Sequence, residues 1–239
     1  HAGLLYSLQL LFEDRLGLWV VNPANLPSRL PGIRAYGIKD VFLPRTASPS
    51  DLALVRAASL YAHLWAAVDG LSARDYANRT LLDIQRLKPG AVELNIELPS
   101  DPPLAMYIRL AFTLVRAKKP SLRVRINVAP FKGRFLPADL LANDPNLYAC
   151  EQTYYGDMSR VSEDVALLDL LDHGVPREKA TLCYGAAALV PLGNPAAIGV
   201  TLRVVGLGTL WTWSDRAKVG ALTRGTIFQD DLLADVGLL

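Results

Sequence analysis

The chain's 239 residues are 51% hydrophobic and 20% charged, enough apolar material for a large core and no case for disorder. The formal net charge is +2 with acids and bases interspersed, which argues against a nucleic-acid partner, since that would need a clustered basic face. The length suits one large α/β barrel or two small domains.

The chain opens on His1, as a processed or trimmed polypeptide would, and the apolar stretch 4–12 lacks a basic leader, so no signal peptide is expected. Strands are expected over 18–22 and 38–43. Ser50 is placed to cap a helix over 51–61, followed by a strand over 64–69. Apolar residues at helical spacing predict a helix over 73–87, stopped by Pro89–Gly90, and then a strand over 91–97. A helix over 103–117 ends before Pro120, a strand follows over 122–128, and 137–142 is a single helical turn. After a strand over 147–152 comes a helix over 159–171, with Gly174 as its C-terminal cap, and a strand over 181–185. The longest apolar stretch, 186–202, is broken by Pro191, Gly193, Asn194 and Pro195, so no membrane span is expected. The segment 195–205 precedes a last strand over 209–213, and a closing helix is expected from Asp215 onward.

Eight strands alternating with helices are the signature of βα units and a parallel sheet. No repeat, low-complexity tract or linker divides the chain, so the expected fold is one α/β domain over 1–239, a (β/α)8 barrel of the TIM type. An open doubly wound sheet is the alternative, but no Gly-rich phosphate loop follows the first strand.

Alternation along the fourth strand puts Val92, Leu94 and Ile96 toward the helices and Glu93, Asn95 and Glu97 into the barrel. The fifth strand likewise turns Arg123, Arg125 and Asn127 inward. Isolated buried charge is costly, so Glu93 is expected to pair with Arg123 or Arg125 as a structural network. Catalytic residues of such barrels lie at the C-terminal strand ends. The inward residues nearest those ends are Asp69, Glu97, Asn127, Gln152 and Trp213, with Arg45, Tyr154, Tyr155 and Asp215 just beyond. Carboxylates can protonate or attack a glycosidic centre, amides bind hydroxyls, and an indole stacks on a sugar's C–H face. His63 begins its strand at the stability end and reads as structural, and His173 as a helix C-terminal partner. Cys150 and Cys183 read as buried thiols. With three histidines and no phosphate-binding glycine motif, no metal or cofactor is expected.

Ala91-Val92-Glu93-Leu94-Asn95-Ile96-Glu97 resembles the fourth-strand motif of the chitinase-like glycoside hydrolases of family 18, in which alternate acidic positions lead to a terminal catalytic Glu. Gly174-Val175-Pro176-Arg177-Glu178-Lys179, leading into Cys183-Tyr184-Gly185, is similar to that family's approach to its seventh strand. Gly208-Thr209-Leu210-Trp211-Thr212-Trp213-Ser214-Asp215 is similar to its eighth strand, whose Trp floors the sugar site. Gln152-Thr153-Tyr154 occupies the place of its sixth-strand Tyr. The resemblance implies Glu97 as general acid and Tyr154 and Trp213 as substrate contacts. It departs at Asn95, where the family has an Asp that orients the substrate's N-acetyl group. The lysozyme-like barrels of family 25 are a second resemblance, and either kinship implies a cell-wall or amino-sugar polymer.

Two readings therefore stand. One is a glycoside hydrolase-like barrel, with Glu97 as acid, Asp69 assisting, Asn95, Asn127, Gln152, Tyr154, Asp215 and Arg45 contacting substrate, and Trp213 stacking. The other is a non-catalytic glycan-binding or interaction barrel within a larger assembly, such as a bacteriophage tail or a cell-surface machine.

Overall fold

A computed structural model of the protein describes residues 17–20, 22–35, 38–98, 101–153, 163–185 and 226–228. Strands and helices alternate in the order β1 (Gly17–Trp19), α1 (Leu26–Ala35), β2 (Asp40–Pro44), α2 (Pro49–Ala57), β3 (Tyr61–Ala67), α3 (Ala73–Leu87) and β4 (Ala91–Ile96). They continue as α4 (Asp101–Lys118), β5 (Arg123–Val128), α5 (Ala138–Asn143), β6 (Leu147–Gln152), α6 (Glu163–Asp172), β7 (Ala180–Gly185) and β8 (Thr226–Phe228). Each strand runs parallel to its neighbours, and β8 pairs with β1 to close the barrel. Following the pairing register once around returns to β1 displaced by eight residues, so eight strands carry a shear of eight. That pairing of strand number and shear leaves an interior just wide enough for side chains to fill. The (β/α)8 barrel expected from the βα alternation is the fold.

Because side chains alternate, each strand serves two cores. Val92, Leu94 and Ile96 of β4, with Val124, Ile126 and Val128 of β5, face outward into the main hydrophobic core beneath the helices. The opposite face fills the barrel, where Trp19, Phe42, Cys150 and Cys183 form a separate cluster with Trp65 against it. The rings of Trp19 and Trp65 stack with centroids 5.6 Å apart, and both cysteines are buried and outside any disulfide.

Helix α3 illustrates how sequence sets an element. Ser72 caps it by accepting from the Asp75 amide at 3.2 Å, and Tyr76, Ala77, Thr80, Ile84 and Leu87 share its buried face. It stops at Lys88, which turns left-handed before Pro89. The Tyr76 hydroxyl donates to the Ala66 carbonyl at 2.6 Å, tying the helix to β3. Helix α6 ends as expected: Gly174 has φ +82°, and the Gly174 and Val175 amides return to Leu171 and Leu170 at 3.1 and 3.0 Å.

Several boundaries differ from expectation. Helix α2 is capped by Ser48 rather than Ser50, because Ser48 and Asp51 form a reciprocal capping box with Pro49 at the first helical position. That helix ends at Ala57, freeing β3 to begin at Tyr61, so β3 stops at Ala67 and Asp69 lies in the turn beyond it. The expected last strand, 209–213, lies outside the described residues, and the strand that closes the barrel is β8, within the segment read as a closing helix.

Candidate functional site

The polar residues inside the barrel form two levels. At the lower level, Glu93 is fully buried, forms an ion pair with Arg125, and accepts from Asn127 Nδ2 at 3.0 Å. The Arg125 guanidinium also lies 4.5 Å over the Phe42 ring. Burial pushes the Glu93 carboxyl up, and Arg125 and the Asn127 amide pull it back. Nearby, His63 Nε2 and Asp40 Oδ1 meet at 2.6 Å, both buried, which gives His63 the structural role expected of it. This level acts as a floor: its charges are matched within the barrel.

The upper level opens to solvent. Asn95 Nδ2 donates to Glu97 Oε1 at 2.9 Å, and Gln152 Nε2 donates to the same oxygen at 2.6 Å, with a longer contact of 3.4 Å to Asn95 Oδ1. Asn95 and Gln152 are buried while Glu97 is exposed, so rigid amides from β4 and β6 hold a solvent-facing carboxylate. Glu97 Oε2 accepts no hydrogen bond from a described residue. Glu97, Asn95, Leu98, Ala67, Val68, Asp69 and Gly70 line a pocket of about 310 Å³ at the C-terminal ends of β3 and β4.

The second carboxylate of this pocket is Asp69, 46% exposed in its side chain. It has φ +52° and Gly70 has φ +71°, a turn that Asp and Gly tolerate better than branched residues. Arg45 Nη1 stands 3.6 Å from Asp69 Oδ2, and Arg45 Nε 3.7 Å from Asp83 Oδ2. Arg45 is not on the pocket wall. Positions 40, 42 and 44 of β2 take the inward register, so Arg45 falls on the outer face, 5.7 Å over the Tyr76 ring and behind the Asp69 turn.

The structure thus brings Glu97, Asn95, Gln152 and Asp69 together. It corrects Asn127, which is buried in the floor against Glu93 rather than at the mouth. The partner of Glu93 is Arg125. Tyr154, Tyr155, Trp213 and Asp215 lie outside the described residues. Gly70 and Leu98 were not anticipated in the pocket, although the Asp69-Gly70 dipeptide after a strand is itself a turn signal. Among the described residues no cluster of three or more His, Cys, Asp or Glu side chains converges to hold a metal, and no helix is long and apolar enough to cross a membrane. Chemically, an oriented carboxyl group with one uncommitted oxygen can exchange a proton with a ligand in the pocket, and the neighbouring carboxylate can support charge that develops there.

No family model matches the chain, and no curated protein does. Among solved structures the chain is similar to the catalytic domain of a hyperthermophilic chitinase from Pyrococcus furiosus. The TM-score is 0.55 at 9% identity, covering 90% of this chain and 83% of that one. A psychrophilic glycoside hydrolase family 10 endo-β-1,4-xylanase gives 0.53 at 12% identity, covering 91% and 87%. The lysine-bound DHDPS of Cyanidioschyzon merolae gives 0.52 at 12%, covering 89% and 80%. At such identities the likeness is one of fold, and the fold is shared by barrels that include glycoside hydrolases and others that are not.

Proposed function

We propose that the protein is a glycoside hydrolase-like barrel acting on an amino-sugar polymer of the chitin or peptidoglycan type, with Glu97 as general acid. The observation that carries this reading is Glu97 itself: an exposed carboxyl at the C-terminal end of β4, fixed by the Asn95 and Gln152 amides, in a pocket with Asp69. In the reaction Glu97 gives its proton to the bridging oxygen as the bond from that oxygen to the anomeric carbon breaks. Asp69 supports the positive charge that builds on the sugar ring, either directly or by activating water. Asn95 and Gln152 hold Glu97, Arg45 steadies the Asp69 turn from behind, and Tyr154, Trp213 and Asp215 complete the sugar contacts. A polymer of this class belongs to a cell wall, so the protein works outside a cell or on a virion, alone or as a module of a larger assembly.

A second reading, glycan binding without turnover, is favoured by two particulars. Beneath Glu97 stands the amide Asn95 rather than a carboxylate, and Asp69 faces the cation of Arg45. One experiment separates them. The protein and its Glu97→Gln variant are incubated with chitin oligomers and peptidoglycan, and products and binding are both followed. Hydrolysis that falls by about 10²–10⁴-fold in the variant, the usual share of a general acid, supports the enzyme. Binding without products in either protein supports the module, and neither binding nor products removes the sugar assignment.

A further inference from the structure

Arg45 is a buried cation without a hydrogen bond. Its side chain is 8% exposed, and Nε, Nη1 and Nη2 find no hydrogen-bond partner among the described residues. A guanidinium is built to donate from all three nitrogens, so one that donates from none needs a reason. Two carboxylates flank it at nearly equal reach: Asp69 Oδ2 lies 3.6 Å from Nη1, and Asp83 Oδ2 lies 3.7 Å from Nε. Both separations exceed a hydrogen bond, yet opposite charges so close still attract strongly at a partly buried site. The cation is divided between two anions and closes on neither.

The two anions differ in what holds them. Asp83 is buried on α3, and its Oδ1 accepts from Arg86 Nη2 at 3.0 Å. Arg86 is fixed in turn, because it donates to the Arg45 and Ala47 carbonyls at 2.6 Å each. Asp83 Oδ2, like the guanidinium it faces, has no hydrogen-bond partner among the described residues. Asp69 is instead half exposed and lines the pocket with Asn95 and Glu97. A row of alternating charge therefore runs from the helix to the pocket wall, in the order Arg86, Asp83, Arg45 and Asp69.

We propose that Asp83 is a positioning residue for Asp69 and acts through Arg45. By holding a share of the guanidinium, it keeps Arg45 from closing on Asp69 and leaves that carboxylate its charge for the pocket. This assignment rests on the reading of Asp69 as the group that supports charge beside Glu97. A carboxylate gripped by a bidentate arginine is largely neutralised, and has little left for an oxocarbenium-like sugar ring. The division of Arg45 thus explains why its donors go unused: a full hydrogen bond to Asp69 would silence the pocket wall. Asp83 does not line the pocket, so its effect belongs to turnover rather than to binding.

The test is a double-mutant cycle in the full chain: kcat and KM on chitin oligomers, with Tm, for the parent, Asp83→Asn, Arg45→Met and the two combined. Asp83→Asn removes the competing charge and keeps the shape, so Arg45 closes on Asp69 and kcat should fall by about fivefold with KM little changed. In the Arg45→Met background the same change should alter kcat by less than about twofold, because the cation that carries the effect is gone. Parent-like kcat in Asp83→Asn overturns the proposal and leaves the Glu97 reading standing. So does an equal loss in both backgrounds, or an Asp83→Asn chain that no longer folds at the assay temperature, since Asp83 would then be structural. An Arg45→Met variant without turnover makes the cation itself the requirement and also overturns it. A parent protein that cleaves no oligomer overturns both this proposal and the assignment of Glu97 as acid.

Discussion

Glu93 lies on β4 and Glu97 one residue past its end, the same residue type four positions apart, and the barrel treats them as opposites. Glu93 lies where the cylinder is closed: no part of it meets solvent, Arg125 supplies its counter-charge, and Asn127 supplies a hydrogen bond. Glu97 lies past the last strand residue, with neutral amides on one oxygen and solvent on the other. A buried charge must be neutralised by its surroundings, so the interior leaves Glu93 nothing with which to meet a ligand. Where the staves end, the same alternation delivers a carboxyl that the described residues hold by one oxygen. The same face thus carries one acid neutralised inside the barrel and one held at its rim, and depth distinguishes them.

The largest expected effect lies on the closed side of that comparison. Arg125→Met leaves the Glu93 carboxylate buried without its cation and should destabilise the fold by about 3–5 kcal/mol in denaturant unfolding. Glu97→Gln should stay within about 0.5 kcal/mol, as an exposed substitution does. If the two variants were equally stable, the division between floor and mouth would collapse. The double variant Glu93→Leu with Arg125→Met sharpens the point: replacing both partners by apolar groups should recover most of the loss.

A third acid, Glu151, extends the comparison to the outer face of the sheet. Its carboxyl is pushed up to about 10 by burial and by Asp169, so the folded state binds a proton that the unfolded chain releases in the ordinary carboxylate range. The sign follows: this contribution is complete below that range and is lost as pH rises toward 10. The groups facing it are Asp169, with His173 Nδ1 3.3 Å from Asp169 Oδ1, and Cys150. The Tm should fall by about 5 °C or more between about pH 6 and pH 9. Glu151→Gln keeps an oxygen for the Phe131 amide and cannot titrate, so its Tm should vary much less with pH. Equal slopes in the two proteins would show that Glu151 is not the source of the pH dependence.

How much of this was legible depended on the length of the pattern. On β4 and β5 six residues alternate cleanly, and their two faces could be assigned from periodicity; β6 and α3 fall on their expected ends. β8 is three residues, Thr226–Phe228, too short for a period to declare itself, and its role comes from closing the barrel against β1 and β7. α1 was not anticipated because Pro27, Pro31 and Gly32 speak against a helix locally, and Leu26, Leu30 and Ile33 are buried along it regardless. Nearness to a strand end suggests Arg45 for the mouth, although the parity of β2 turns it outward. The left-handed backbone of Phe131 has no local signal. Its φ of +59° accompanies an amide bond to Glu151, 20 positions away, against the residue's own preference.

The smallest effect on stability is expected where the mouth is most open. Asp69 meets Arg45 only at 3.6 Å, its side chain is 46% exposed, and exposed pairs of that kind contribute about 0–1 kcal/mol. Asn, like Asp, tolerates the left-handed conformation that position 69 adopts. Asp69→Asn therefore removes the charge while keeping the turn, and unfolding should shift by no more than about 0.5 kcal/mol. Turnover of chitin oligomers is the sensitive quantity. If Asp69 supports charge that exists only in the transition state, kcat should fall by at least about tenfold with KM little changed. If it merely contacts the sugar, KM should rise and kcat should hold. A variant identical to the parent in both would leave Glu97 as the sole acid of the pocket wall with a chemical role, and would shift the weight toward a barrel that binds its polymer without cleaving it.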